Sequence, residues 1–141
     1  MNLSARNQLK GTVTEIKKGA VNNEVSVSLA KGTVLTSIIT ATSCENLGLK
    51  AGDEVYAIIK ASNVMIGEEG GGLKLSARNQ LKGTVKQLQE GAVNAEVELT
   101  LDGGEEITSI ITMASAKRLG LKAGVKAAAI IKASDIMIGV K

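Results

Sequence analysis

The sequence predicts an all-β chain with short helices, arranged as two tandem five-stranded, OB-like barrels. Three observations lead there. The 141 residues repeat themselves without a gap at an offset of 72, and residues 3–67 agree with 75–139 at 40 of 65 positions. Within each copy, apolar residues recur with period two, the spacing of a half-buried strand. Each copy also carries one helix-like stretch between its third and fourth strand-like runs, the element order of a small five-stranded barrel. The copies are expected at residues 1–67 and 75–141. Residues 68–74 join them, with Glu68-Glu69-Gly70-Gly71-Gly72 reading as a short flexible joint.

The first copy justifies these elements in order. Leu3 to Ile16 reads as a long first strand interrupted near Gly11. Val25-Ser26-Val27-Ser28-Leu29 alternates strictly. In the second copy Ser26 and Ser28 become Glu98 and Thr100 while the apolar positions stay apolar, as expected of one face in solvent. Leu35 to Ala41 is β-branched and apolar. Ser43 to Gly48 predicts one or two helical turns, with Ser43 as N-cap and Gly48 as the stop. Leu49 to Asp53 is a turn, followed by strands near Val55–Ala61 and Asn63–Ile66. Strands this short leave costly edges unless the sheet closes.

Composition then removes whole classes of function. The chain has no His, Phe, Trp or Pro, one Tyr (Tyr56) and one Cys (Cys44). Without His there is no imidazole base, no Ser-His-Asp triad and no ordinary zinc site. One aromatic ring makes no platform for stacking single-stranded bases, and one Cys forms no internal disulfide. Val, Ile, Leu and Ala must build the whole core. They carry less area per residue than aromatic rings, so a small isolated unit is marginal and buried subunit contacts are expected. No apolar run approaches the roughly 20 residues of a membrane helix. MNLSARNQLKG has no apolar signal core, so a soluble cytoplasmic protein is expected. The net charge of +3, with acids and bases interspersed, does not argue for nucleic acid.

Four repeated segments could carry chemistry. Ser4-Ala5-Arg6-Asn7 and Ser76-Ala77-Arg78-Asn79 hold two of only three Arg, against 14 Lys. Guanidinium, hydroxyl and backbone N–H groups together suit a tetrahedral oxyanion. The alternative is a polar strand start copied by duplication. Thr40 with Ser43, and Thr112 with Ser115, offer paired hydroxyls at a helix start, or simply an ordinary cap. Lys60-Ala61-Ser62 and Lys132-Ala133-Ser134 end an apolar run. Each Lys either brings charge to a barrel rim or reaches out to solvent. Gly19-Ala20-Val21-Asn22, repeated as Gly91 to Asn94, is a nest of N–H groups or a turn.

No acidic cluster repeats, since Glu24/Glu96 is the only acidic position kept in both copies. Paired-carboxylate catalysis and a calcium cage therefore lack a repeated basis. Cys44 becomes Ala116, so it reads as small apolar filler. The repeated polar set donates hydrogen bonds and scarcely accepts them. A fully ionised oxyanion requires just that, whereas a protonated phosphate also needs an acceptor.

SARNQLKGTV, GAVNxEV, TSIITxxS, LGLKAG and AIIKAS resemble the molybdate-binding Mop domain. Two such units in one short chain resemble the tandem Mop molbindins. The resemblance implies OB-like Mop barrels and a homotrimer of six Mop units, with oxyanions at subunit interfaces. It places one site on Ser4, Ala5, Arg6, Thr40, Ser43, Lys60 and Ala61. The second falls on Ser76, Ala77, Arg78, Thr112, Ser115, Lys132 and Ala133. Asn7, Asn79, Ser62 and Ser134 are further donors. A three-fold-axis anion site is implied near Ala20, Val21 and Asn22, or near Ala92, Val93 and Asn94. Asn46 in one copy stands opposite Arg118 in the other, so the two site classes are not expected to be equivalent.

The function so implied is reversible, non-catalytic storage or homeostasis of molybdate, or of its near-isostere tungstate, in the cytoplasm. No cofactor, nucleic acid or membrane is expected to take part. The same tandem unit also occurs as the sensor half of a molybdate-responsive transcription regulator, but with no DNA-binding region read ahead of the first copy, a store is the expected role. Two other readings stand beside it: an OB-type nucleic-acid-binding module, and a structural oligomer with incidental anion sites.

Overall fold

A computed structural model describes residues 2–70 and 72–141; Gly71 of the expected joint, like Met1, lies outside the described residues. The first copy forms β1 (Asn7–Lys18), β2 (Asn22–Leu29), β3 (Val34–Thr40), α1 (Ala41–Leu47), β4 (Glu54–Ile59) and β5 (Met65–Glu68). The second forms β6 (Asn79–Glu90), β7 (Asn94–Leu101), β8 (Glu106–Thr112), α2 (Met113–Arg118), β9 (Lys126–Ile131) and β10 (Met137–Gly139). A single 3-10 turn, Ala61–Asn63 or Ala133–Asp135, precedes each last strand.

These strands make two curled, five-stranded antiparallel sheets, ordered β10-β4-β1-β2-β3 and β5-β9-β6-β7-β8. Each sheet takes four strands from one copy and its fifth from the other. Met137 pairs with Ile58, and Met65 pairs with Ile130. The apolar patterns indicate five strand-like runs in each copy but cannot reveal this exchange. Met65-Ile66-Gly67 and Met137-Ile138-Gly139 are the same tripeptide, so either fits either sheet edge.

The alternation in β2 behaves as its sequence predicts: Val25, Val27 and Leu29 are buried, while Ser26 and Ser28 are part-exposed. With Val13, Leu35, Val55, Ile59 and their counterparts they form a core spanning both sheets. Cys44 and Ala116 are both buried.

Local expectations are corrected in β1, in α1 and at Asn63, which lies in the 3-10 turn and not in the last strand, since that strand starts at Met65. β1 is not interrupted at Gly11, which pairs with Leu29 on one side and Val55 on the other. The glycine serves close approach instead: a Cβ there would lie 2.6 Å from Val27 Cγ1 and 2.7 Å from the Ser28 carbonyl oxygen. The irregularity falls between Val13 and Glu15, and between Val85 and Gln87 in β6. Such a bulge bends the strand and increases its twist. Finally, α1 starts three residues earlier than its sequence suggests. Thr40 is the N-cap, accepting from the Ser43 N–H at 3.0 Å. Gly48 ends the helix in the left-handed region at φ 62°.

The halves are tied together by reciprocal polar bonds. Asn7 is buried on β1. Its Nδ2 donates to the carbonyls of Ile59 and Thr108, and its Oδ1 accepts from the Thr108 N–H. Asn79 does the same with Ile131 and Thr36. Ser37 Oγ donates to the Ile136 carbonyl at 2.6 Å, and Ser109 Oγ to the Val64 carbonyl. Where the β2–β3 and β7–β8 turns meet, equivalent positions face each other: Thr33 Oγ1 donates to Glu105 Oε1 at 2.7 Å.

Candidate functional site

The sheet register assembles the site. Asn7 pairs with Ile59 at the end of the β1–β4 ladder, so the residues just before β1 lie beside those just after β4. Antiparallel continuation sets Ser4-Ala5-Arg6 against Lys60-Ala61-Ser62. The pairing of Asn79 with Ile131 does the same for Ser76-Ala77-Arg78 and Lys132-Ala133-Ser134. Segments 54 to 58 residues apart in sequence thus form one wall.

Each wall encloses an open cavity. The first, about 360 Å³, is lined by Leu3, Ser4, Ala5, Arg6, Lys60, Ala61 and Ser62, with Ile110 and Met137 from the second copy. The second, about 500 Å³, is lined by Leu75, Ser76, Ala77, Arg78, Lys132, Ala133 and Ser134, with Ile130. Ile38, Met65 and Ile66 complete it from the first copy. Each cavity has two cations, two hydroxyls, an apolar floor and no lining carboxylate.

Local bonds hold the walls in shape. Gln8 Nε2 donates to the Ala5 carbonyl at 2.9 Å, and Gln80 Nε2 to that of Ala77 at 2.9 Å. These glutamines fix the Ser-Ala-Arg segments. Their sequence signal is identity in both copies, which every residue of the adjoining Ser-Ala-Arg-Asn segments shares. The 3-10 turns fix the other side, with the Asn63 N–H on the Lys60 carbonyl and the Asp135 N–H on that of Lys132, each at 2.9 Å.

Other candidates lie elsewhere within the chain. Asn7 and Asn79 are adjacent to the walls, but both use their amide groups on backbone partners. The Thr40 and Ser43 hydroxyls bond each other at 2.8 Å, and those of Thr112 and Ser115 at 2.9 Å. Neither pair lines the two cavities. Ser43 lines a neighbouring groove with Asn46, Ser134 and Met137, sharing Ile38 and Ser134 with the second cavity. In the second copy Arg118 Nη2 donates to Ser115 Oγ at 3.4 Å, a contact Asn46 does not make with Ser43.

Ala20-Val21-Asn22 and Ala92-Val93-Asn94 are exposed hairpin turns. Val21 and Val93 are 72% and 73% exposed. Their carbonyls accept from the Ala41 and Met113 N–H groups, which seats each turn on the start of a helix.

The site arginines have acidic partners from the opposite copy. Arg78 Nη2 donates to Glu24 Oε1 at 2.6 Å, and Arg6 Nη2 donates to Glu96 Oε1. The hydrogen bond from Arg78 holds the Glu24 carboxyl below its usual 4.5 against partial desolvation, helped by the charges of Arg78 and Lys17. Glu24 in turn holds the Arg78 guanidinium above its ordinary value. Lys60 and Lys132 make no ion pair among the described residues.

The family model for the TOBE domain matches residues 3–66 and again 75–138. The chain belongs to the TOBE-domain family. Its two TOBE copies resemble the molybdenum transport protein ModE of Azotobacter vinelandii, 45% identical over 140 residues. That match covers 99% of this chain and 52% of the relative, so the chain spans about half the length of such curated relatives. A single TOBE copy matches molybdenum-pterin-binding protein 3 of Clostridium pasteurianum, 53% identical over 66 residues, covering 47% of this chain and 97% of the relative. Among solved structures, the cytoplasmic molybdate-binding protein ModG with molybdate bound overlaps with a TM-score of 0.95 at 50% identity. The overlap covers all of both chains, so the tandem TOBE architecture, with its two curled sheets, is shared from end to end.

Among the described residues, no group of three or more His, Cys, Asp or Glu could hold a metal ion directly. No helix is long and apolar enough to cross a membrane. What the walls offer is a set of donors for a small anion.

Proposed function

We propose that this chain binds molybdate reversibly and without catalysis, as a cytoplasmic store that buffers the anion. The observation that carries the reading is the end-to-end overlap with ModG, a cytoplasmic molybdate-binding protein solved with molybdate bound. The chemistry of the walls supports it. Arg6 and Lys60, or Arg78 and Lys132, supply charge. Ser4, Ser62, Ser76 and Ser134 supply hydroxyls, and the backbone around Ala5, Ala61, Ala77 and Ala133 supplies N–H groups. Molybdate, fully ionised at neutral pH, asks only for donors, and tungstate fits the same set.

Each cavity is wider than a tetrahedral oxyanion and open on one side. In a homotrimer, a neighbouring subunit would close it with Thr40 and Ser43, or Thr112 and Ser115, whose hydroxyls lie at the surface. The exposed Val21 and Val93 turns would then gather near the three-fold axis, where Ala20–Asn22 or Ala92–Asn94 could hold a further anion. Residues 1–67 and 75–141 act as the two Mop units, joined through 68–74, and neither nucleic acid nor membrane takes part. Equilibrium dialysis against molybdate, read by elemental analysis, tests the proposal. Retention at micromolar free molybdate is expected. A folded oligomer that retains none overturns it.

A further inference from the structure

Glu24 and Glu96 have no place in the donor set, yet they are the one acidic position kept in both copies. Neither lines the cavity whose arginine it contacts. Each approaches from outside and takes one Nη2 position of the guanidinium. A guanidinium presents five N–H donors in a rigid fork, so one bond to a carboxylate leaves the others aimed as a set. The arginine stem is long and flexible, and its side chain is about half exposed (48% for Arg6, 49% for Arg78). Without a partner it would sample many rotamers and lose entropy on capturing an anion. The pairing also crosses the repeat: Glu24 of the first copy holds Arg78 of the second, and Glu96 holds Arg6.

We propose that Glu24 and Glu96 are positioning residues for the oxyanion sites, each orienting the site arginine of the opposite copy. The inference rests on the molybdate reading above. Through this crossing, a change in one copy's sequence alters the other copy's site. Glu24 sits among Arg78, which it contacts, and Lys17, the second cation acting on it. The ligand-ready arginine is thus held by a carboxylate that keeps its charge throughout the neutral range.

The test uses the full chain in two backgrounds, each with one site class disabled: R6A/K60A, and R78A/K132A. Molybdate affinity is measured in each by equilibrium dialysis with elemental analysis, after checking oligomer mass and far-UV circular dichroism. Adding E24A to R6A/K60A is expected to weaken the remaining Arg78 site about tenfold, the lower end of what loss of an outer orienting partner costs. E24Q keeps an acceptor for Nη2 and should stay within about threefold of the parent. In R78A/K132A, E24A should change nothing and E96A should produce the loss. Tighter binding in both E24A and E24Q would overturn the proposal, since the carboxylate would then be competing with the anion. Equal loss in both backgrounds would overturn it too, as a general structural effect. If E24A does not fold, the split between E24Q and a shortened E24D decides, and equal affinities there count against positioning. Wild-type protein that binds no molybdate in the same titration would overturn the functional reading itself, an outcome distinct from any of these.

Discussion

Asn79 does with one side chain what a neighbouring strand would do with its backbone. Its amide both donates to and accepts from Thr36 on the free edge of β3, and it also reaches the Ile131 carbonyl. In the sequence it stands beside Ser, Ala and Arg, so it reads as one more donor for a ligand. Burial distinguishes the two roles, because a buried amide must satisfy itself locally. Asn79→Ala should therefore lower stability by about 2–4 kcal/mol, since it strands the Thr36 backbone groups and the Ile131 carbonyl. Urea unfolding followed by circular dichroism measures the loss, and a change below about 0.5 kcal/mol would contradict it. Glu105 allows a second test. Burial raises its carboxyl pKa, but hydrogen bonds from Thr33 Oγ1, its own backbone and the Lys31 N–H outweigh burial and hold it below the usual 4.5. A depressed folded pKa means that the stabilisation is complete above the unfolded value and is lost as pH falls through the folded one. Wild type should exceed Glu105→Gln by under about 1 kcal/mol near neutrality. That margin should shrink as pH drops below about 4.5. A margin that stays constant down to acid unfolding would sink the assignment.

At the scale of elements, the sequence is most informative where one residue type has one meaning. Alternation marks Val25–Leu29 in β2 and Val97–Leu101 in β7, where each outward position is polar and each inward one apolar. Both strands begin three residues earlier, where the inward Asn23 is polar and carries no such signal. Gly11 was harder to place, since a glycine in a strand marks a bulge, a bend or a close approach alike. The close approach is the one realised, and the bulge sits at Thr14, a residue with no such signal. Thr40 and Ser43 both suit an N-cap, and only the extended backbone at Thr40 decides between them. The candidate site was legible because its two walls are contiguous motifs, but their juxtaposition depends on the β1–β4 register, a long-range fact. Gly11→Ala checks the close approach. The new methyl must displace Val27 or the Ser28 carbonyl, which should cost about 1–3 kcal/mol by overpacking. Gly72→Ala, where nothing lies within 4 Å of the new Cβ, should stay within about 0.5 kcal/mol of wild type. Equal thermal shifts in the two variants would remove the packing argument.

At the scale of the molecule, the exchange of β5 and β10 explains how so aromatic-poor a chain holds together. Neither copy completes its own sheet, and the bonds Asn7–Thr108, Ser37–Ile136 and Arg6–Glu96 all run between copies. A half-chain of residues 1–70 would keep the β1–β4 ladder but lose its β10 partner and each of those bonds. It would also expose the strand edge of β4 that Met137 and Ile138 now cover. A second half-chain could restore nearly all of this, because Met65-Ile66-Gly67 repeats the tripeptide of β10, and Thr36, Ser37 and Glu24 repeat the partners found in the second copy. Exchange of an identical element between copies is a low-cost route to association. The isolated half should therefore fold only as an even-numbered assembly, with a midpoint that rises with protein concentration. Sedimentation velocity together with circular dichroism across a hundredfold dilution reads both quantities. A folded monomer with a concentration-independent midpoint would mean that β5 can close on β4 within one copy. The exchange would then follow from tethering two copies in one chain rather than from any need of the fold.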